Sequence, residues 1–161
     1  MNGRIVAGGL VALALVAGGA MWYLQEYAFY EPVTLGAEGP RATQIRLTPV
    51  GGGPAEAIPV EDFEAIDAGS SPIRFRACFR TPLSLPMLTE TFAIYDNPTP
   101  LNAPYWFDCF DARAIDAALS EGEAIAFLAE RDIHPGVDRV VAVFPDGRAY
   151  AWHQLNGTLA D

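Results

Sequence analysis

The hydrophobic pattern splits the chain into two unequal parts. From Ile5 to Leu24 the sequence reads IVAGGLVALALVAGGAMWYL, 20 residues without a charge. About 20 apolar residues rising 1.5 Å each cover a hydrocarbon core of roughly 30 Å, so this run predicts a membrane-spanning helix. No comparable run recurs. Thr43 to Thr48 (TQIRLT) alternates instead, with Ile45 and Leu47 on one face, which predicts a strand. Ile73 to Phe79 (IRFRACF) alternates again: Ile73, Phe75, Ala77 and Phe79 face one way, Arg74, Arg76 and Cys78 the other.

Between and beyond these strands the signals are turn residues and short periodic stretches. Glu31 to Pro40 reads as a polar connector, and Val50 to Pro54 (VGGGP) as a loop. Asp62 to Ala68 suggests a short helical turn. Two proline-rich loops, TPLSLP and NPTPLNAP, flank a short candidate strand at Thr91 to Tyr95. Asp111 is a good helix N-cap, and Phe110 before it can staple onto Ile115, with Leu119 continuing the apolar face. Ser120 to Glu123 (SEGE) matches a capping box and predicts a second short helix, Glu121 to Arg131, with Ile125 and Leu128 inward and His134 to Gly136 as its stop. The chain ends in a predicted hairpin: DRVVAVF and RAYAWHQL flank Pro145 to Gly147, a loop suited to a type I turn with Gly147 in a left-handed bulge position. The expected architecture is α+β: an anchor over 1–30, a linker over 31–40, and a domain over 41–161 with an antiparallel sheet and two short helices on one face.

Charge sets the orientation of the anchor. Arg4 and the terminal amine precede the apolar run, while Glu26, Glu31 and Glu38 follow it. Positive charge stays on the cytoplasmic side, so the N-terminus is expected inside and the domain outside. Trp22, Tyr23, Tyr27, Phe29 and Tyr30 cluster at the far end, where amphipathic rings prefer the headgroup zone. Gly18 and Ala20 could serve a signal-peptide cleavage site, but the run exceeds the usual signal core and bulky aromatics follow it directly. Small residues recur four apart, Gly8 with Ala12 and Ala14 with Gly18. That spacing admits a close partner helix, although Gly and Ala are common in any membrane span.

Ten basic residues face twenty acidic ones, for a net charge of −10, and lysine is absent. That balance excludes a nucleic-acid face and disfavours a seat on anionic lipid. It also excludes a phosphate-cradling loop of the kind that ends in Gly-Lys. No nucleophile elbow and no paired metal-ligand spacing occurs, so neither an enzyme nor a cofactor site is expected. The aromatic concentration around Tyr105, Trp106 and Phe107 falls in a loop, as interface aromatics often do, although a small core under the loop is the plainer alternative.

The two cysteines, Cys78 and Cys109, each precede a phenylalanine. Outside the cytoplasm an even cysteine count favours a disulfide. It would close a loop with five prolines and little regular structure. A zinc or copper site with His134 and His153 has the right count of ligands but no paired spacing. A reactive thiol at Cys109 would sit just before a helix start, without the usual Cys-X-X-Cys. His153, alternating with Ala149 and Ala151, reads as a packed core residue.

The stretches WYLQEYAFYEPV, SSPIRFRACF, PYWFDCFDA and GVDRVVAVFPDGRAYAWHQLN together resemble an uncharacterised family of small, single-pass, membrane-anchored alphaproteobacterial proteins. The resemblance implies a bacterial inner-membrane protein with a periplasmic domain; it implies no activity and no residue roles. The function expected is that of a non-enzymatic accessory or assembly subunit of an inner-membrane complex, respiratory or photosynthetic. Trp22, Tyr23, Tyr105, Trp106 and Phe107 are its candidate partner-binding residues, and residues 5–24 lie in the bilayer. A periplasmic thiol- or copper-handling factor using Cys78 and Cys109, and a stand-alone binding module, are the alternatives.

Closing a loop of about 31 residues is worth roughly 3–4 kcal/mol by the chain-entropy estimate. A Cys78→Ala, Cys109→Ala double variant should lose stability of that order in denaturant unfolding. Intact mass without reductant should show no free thiol in the parent protein.

Overall fold

The computed structural model describes residues 2–36, 38–39 and 42–158; residues 1, 37, 40, 41 and 159–161, at the margins of the expected anchor, linker and domain, lie outside it. A single long helix, α1 (Gly3–Glu26), carries the apolar run and buries none of its residues. It is long and apolar enough to cross a membrane. Asn2 caps its start, accepting from the Arg4 amide.

The rest is a mixed α+β domain built on one large sheet. Its strands are β1 (Tyr30–Leu35), β2 (Ala42–Thr43), β5 (Glu61–Ala68), β6 (Arg76–Arg80), β7 (Ile125–His134), β8 (Val137–Val143) and β9 (Arg148–Leu155). They run in the order β2-β1-β5-β6-β9-β8-β7, and a separate pair joins β3 (Arg46–Leu47) to β4 (Glu56–Ala57). All pairings are antiparallel except β1 with β2. The sheet is thus larger than the small one expected. It also curls. Thr43 pairs at one edge, on β1. Thr48 donates its amide to Leu128 O (2.9 Å) and its hydroxyl to Ala129 O (2.8 Å) at the other edge, on β7. Five residues of extended chain reach about 17 Å. The two edges must therefore come within that span, and Ile45 and Leu47 point into the enclosed core, 1% and 0% exposed.

Both faces of the central strands are buried. Inside the curl lie Phe75, Ala77, Phe79, Phe127, Val141, Val143, Ala149 and Ala151, closed by Leu88 of α2 (Leu85–Thr91). On the outer face lie Ile66, Cys78, Val140, Ala142 and Trp152, covered by Phe107, Phe110 and by Ile115 of α3 (Ala112–Glu121). The two helices therefore sit on opposite faces, not on one as expected. A sheet buried on both sides needs a cover for each, and one hydrophobic helix supplies part of each.

Several elements follow the pattern read from sequence. Asp111 caps α3, accepting from the Arg113 and Ala114 amides. The β8–β9 hairpin closes as expected, with Gly147 N–H donating to Phe144 O (3.0 Å) and Gly147 at φ +85°. Phe75, Ala77 and Phe79 share the inner face while Cys78 takes the outer one. The candidate strand at Thr91 to Tyr95 is realised only as isolated bridges, Phe92 with Pro49 and Ile94 with Phe127 of β7, and Thr91 itself ends α2.

Five expectations are corrected. The helix expected at Glu121 to Arg131 is strand β7. Gly122, at φ +75°, ends α3 in a Schellman arrangement: its amide bonds Leu119 O (3.3 Å), and the Glu123 amide bonds Ala118 O (2.8 Å). The apolar run that follows is buried on both sides, a pattern that periodicity does not separate from a short helix. His134, expected to close that helix, ends β7 instead and is exposed. The turn expected at Asp62 to Ala68 is β5, because pairing with β1 and β6 on both sides outweighs the weak helical preference of the segment. Asp62, at φ +50°, marks the bulge where its register shifts. The connector expected from Glu31 begins as strand β1, and the first proline-rich loop contains α2 with Pro86 near its start.

Gly147 offers a sharp test of the hairpin. A Cβ there would lie 2.8 Å from Thr81 O, a rigid backbone atom, whereas one at Gly157 (φ +74°) would meet nothing within 4 Å. Gly147→Ala should destabilise by more than Gly157→Ala, which carries only the backbone cost of about 1 kcal/mol. Denaturation midpoints of the two variants check this, and equal losses would contradict the close approach.

Candidate functional site

The C-terminal end of a helix leaves its last carbonyls without partners inside the helix. In α1 two of these are taken by side chains from the domain. The Trp106 indole N–H donates to Glu26 O at 2.6 Å, and Arg74 Nη1 donates to Gln25 O at 3.3 Å. A cation at this end also suits the helix dipole. Around these bonds the rings interleave. Trp106 stacks on Tyr27 (centroids 6.2 Å, 13° between planes) and meets Tyr30 edge-on at 5.9 Å. Tyr105 lies parallel to Trp22 at 6.5 Å, and its hydroxyl bonds that of Tyr27. Arg74 sits over the Tyr30 ring, 5.4 Å from its centroid. Only Tyr27, Ala28 and Phe29 separate α1 from β1.

The loop carrying Tyr105 and Trp106 is held from both ends. Arg76, 4% exposed, donates Nε to Leu101 O (2.7 Å) and Nη2 to Asn102 O (3.1 Å), while Nη1 serves Ile73 O and Phe75 O (2.8 and 2.6 Å). Burial lowers its pKa to about 10, which leaves it charged at neutral pH. At the other end Cys109 is joined to Cys78 of β6 in a disulfide, Cα to Cα 6.2 Å. Phe107 and Phe110 flank this bridge and are buried in the outer-face core.

The five aromatic residues singled out from sequence thus divide. Trp22, Tyr105 and Trp106 come together with Tyr27 and Tyr30 at the joint between helix and domain. Tyr23 stacks on Tyr27 at 5.8 Å from the opposite side. Phe107 belongs to the domain's own core, 4% exposed. Trp22, Tyr23 and Tyr105 remain more than half exposed, at 53%, 56% and 62%.

A second feature escaped the sequence reading. Register pairs Glu31 with Asp67, Arg139 with His153, and Glu130 with Arg139. Phe75 joins them by stacking on His153 at 4.8 Å. These residues form one transverse row at one end of the curl, on five strands and on Phe75 just before β6. Arg139 is its centre, 5% exposed, lying 4.3 Å over the Phe75 ring. It donates Nε to His153 Nε2 (3.0 Å) and Nη1 to Thr43 Oγ1 (2.9 Å), Gln44 O (3.3 Å) and Glu130 Oε2 (3.4 Å). Arg139 thereby ties β8 to the crossing segment that joins the sheet edges. Cavities of about 310 and 440 Å³ flank it. Its alternation with Val141 and Val143 was the available signal that this arginine points inward.

His153 accepts from Arg139 at Nε2, so its proton sits on Nδ1, which donates to Pro72 O at 2.8 Å. Both ring nitrogens are used, and neither is open to a metal. Cys78 faces the outer side of the sheet and His153 the inner side, so the residues of the copper alternative do not converge. Burial first, then the Arg139 charge, pushes the His153 pKa down to about 3. Burial raises that of Asp67, partly offset by its bond from the Ala68 amide and by Arg139.

Because its folded pKa is depressed, His153 favours the unfolded chain once pH drops below the unfolded value of about 6.5. Stability should fall between about pH 6.5 and 3, with a slope of at most about 1.4 kcal/mol per unit from this residue. Asp67 acts in the opposite sense in the acid range, since its folded pKa is raised. His153→Gln keeps an acceptor for Arg139 and retains Asp67, so its difference from the parent isolates the histidine. Unfolding midpoints between pH 7.5 and 5 should show a steeper loss in the parent than in the variant, and parallel curves would contradict the assignment.

Residues 45–160 match a family described as "Family of unknown function (DUF6446)". No curated protein and no solved structure matches. The chain belongs to that family.

Proposed function

We propose that this member of the family is a non-enzymatic accessory or assembly subunit of an inner-membrane protein complex, with a helix that spans the bilayer and a domain held outside the cytoplasm. The observation that carries the proposal is the joint. A domain that is merely tethered needs a flexible linker; here three residues connect the helix to the sheet, and Trp106 bonds the last helical carbonyl. Such a joint sets the height and angle of the domain above its span. That suits a subunit which must present one surface to a membrane partner.

The span supports the same reading. Gly8 with Ala12 and Ala14 with Gly18 recur four apart on the exposed helix, the spacing that lets another helix approach closely. The domain's net acidity would suit a basic partner surface.

Two measurements test the proposal together. A periplasm-dependent reporter fused after Asp161 should be active, and a cytoplasm-dependent one silent. In mild detergent the protein should migrate well above its monomer mass of 17.3 kDa. Gly8→Leu with Gly18→Leu, or Trp106→Ala, should return it toward the monomer without unfolding the domain. A lone monomer in mild detergent, or the reverse reporter pattern, would overturn the assignment.

A further inference from the structure

The last turn of a membrane span and the loops next to it face a chemically distinct layer. Headgroups and the first acyl carbons favour rings that are apolar in body and polar at one edge. Trp22 and Tyr23 offer such rings from the anchor side, 53% and 56% exposed. Tyr105 offers one from the domain, 62% exposed, although it lies 83 residues further along the chain than Trp22.

Height follows from the geometry. The uncharged run ends at Leu24. At about 1.5 Å per residue, Trp22 lies within about one turn of the hydrocarbon boundary. Tyr105 stacks parallel to Trp22 at 6.5 Å and bonds Tyr27 through its hydroxyl, so it occupies the same level. The loop cannot swing away from that level. Arg76 fixes Leu101 and Asn102, the disulfide fixes Cys109, and Trp106 is bonded to Glu26.

We infer that the Tyr105 loop is a membrane-docking element: the domain, and not only its anchor, sits in the headgroup layer, with Tyr105 extending the aromatic belt begun by Trp22 and Tyr23. The occupant of this exposed strip is the lipid headgroup layer itself, zwitterionic in character. A chain of net charge −10 gains nothing from anionic lipid, and the exposed rings supply the contact without charge. Glu26, Asp108 and Asp111 border the groove between the anchor and α3 together with Arg113, and three carboxylates against one guanidinium favour the ammonium end of such lipids.

The inference rests on the membrane-spanning assignment above, and the test separates the two. The full chain, with its native cysteines paired, is reconstituted in phosphatidylcholine nanodiscs. Single spin labels are placed by Leu13→Cys, Tyr105→Cys and Asp146→Cys, and their access to oxygen and to a water-soluble nickel complex is compared. Leu13 is the control for insertion, and Asp146, in the hairpin turn away from α1, is the aqueous reference. The Tyr105 label should show an oxygen-to-nickel ratio several-fold above that of Asp146 and below that of Leu13. Raising the salt should not change it, since rings rather than ion pairs hold the seat. A deep Leu13 label with a Tyr105 label as aqueous as Asp146 would overturn the docking inference alone. A Leu13 label open to nickel would overturn the span assignment and the inference with it. A Tyr105 ratio that collapses in high salt would overturn the aromatic basis of the contact.

Discussion

Double burial of the β8–β9 hairpin is the constraint from which the domain's form follows. Every residue from Val137 to Val143 is buried, and so are Ala149 and the stretch from Ala151 to Gln154 on the partner strand. A sheet with two apolar faces cannot leave either to water. The inner face is covered by the curl of the sheet, with Ile45 and Leu47 from the crossing segment and Leu88 from α2. The outer face has fewer regular elements available. It is covered by α3 and by a proline-rich loop that brings Phe107 and Phe110 onto Trp152. An irregular loop makes a poor lid unless it is fixed, and here Arg76 and the Cys78–Cys109 bridge fix it.

That lid also reaches α1. Phe107 points into the core while its neighbours Tyr105 and Trp106 meet the end of the helix. One short stretch therefore serves the packing of the domain and the attachment of α1. The stability of the outer face and the angle of the domain to the helix are coupled through the same loop. In the proposed function, a partner that touches the joint would act on the domain core at a distance of a few side chains.

The transverse row around Arg139 has a different role. A buried guanidinium is costly unless its donors are satisfied. Here its Nε and Nη1 meet acceptors on β9, on β7 and on the crossing segment, and its flat face rests on Phe75. These bonds hold the two edges of the sheet in place where no backbone ladder joins β8 to β2. His153 is kept neutral in the process, and both of its ring nitrogens are taken, Nε2 by Arg139 and Nδ1 by Pro72 O.

Local chemistry was legible in the sequence wherever one element carried its own signal. The uncharged run of α1, the Asp111 cap, the Gly147 hairpin and the alternation through Phe75, Ala77 and Phe79 depend on neighbours a few residues away. The candidate joint was legible in part: Trp22, Tyr23, Tyr105 and Trp106 stood out as unplaced aromatics, but nothing local says that a ring near residue 106 will bond a carbonyl at residue 26. Two of the errors share one cause. Residues 61–68 and 125–131 are helix-compatible in isolation, and only pairing with strands far along the chain makes them β5 and β7. The sequence by itself determined the long apolar helix and the final hairpin, because these rest on hydrophobic period and turn geometry. Tertiary structure alone decided the curl, the Arg139 row and the junction of domain and helix, because each requires side chains from distant segments to meet before any of them is stable.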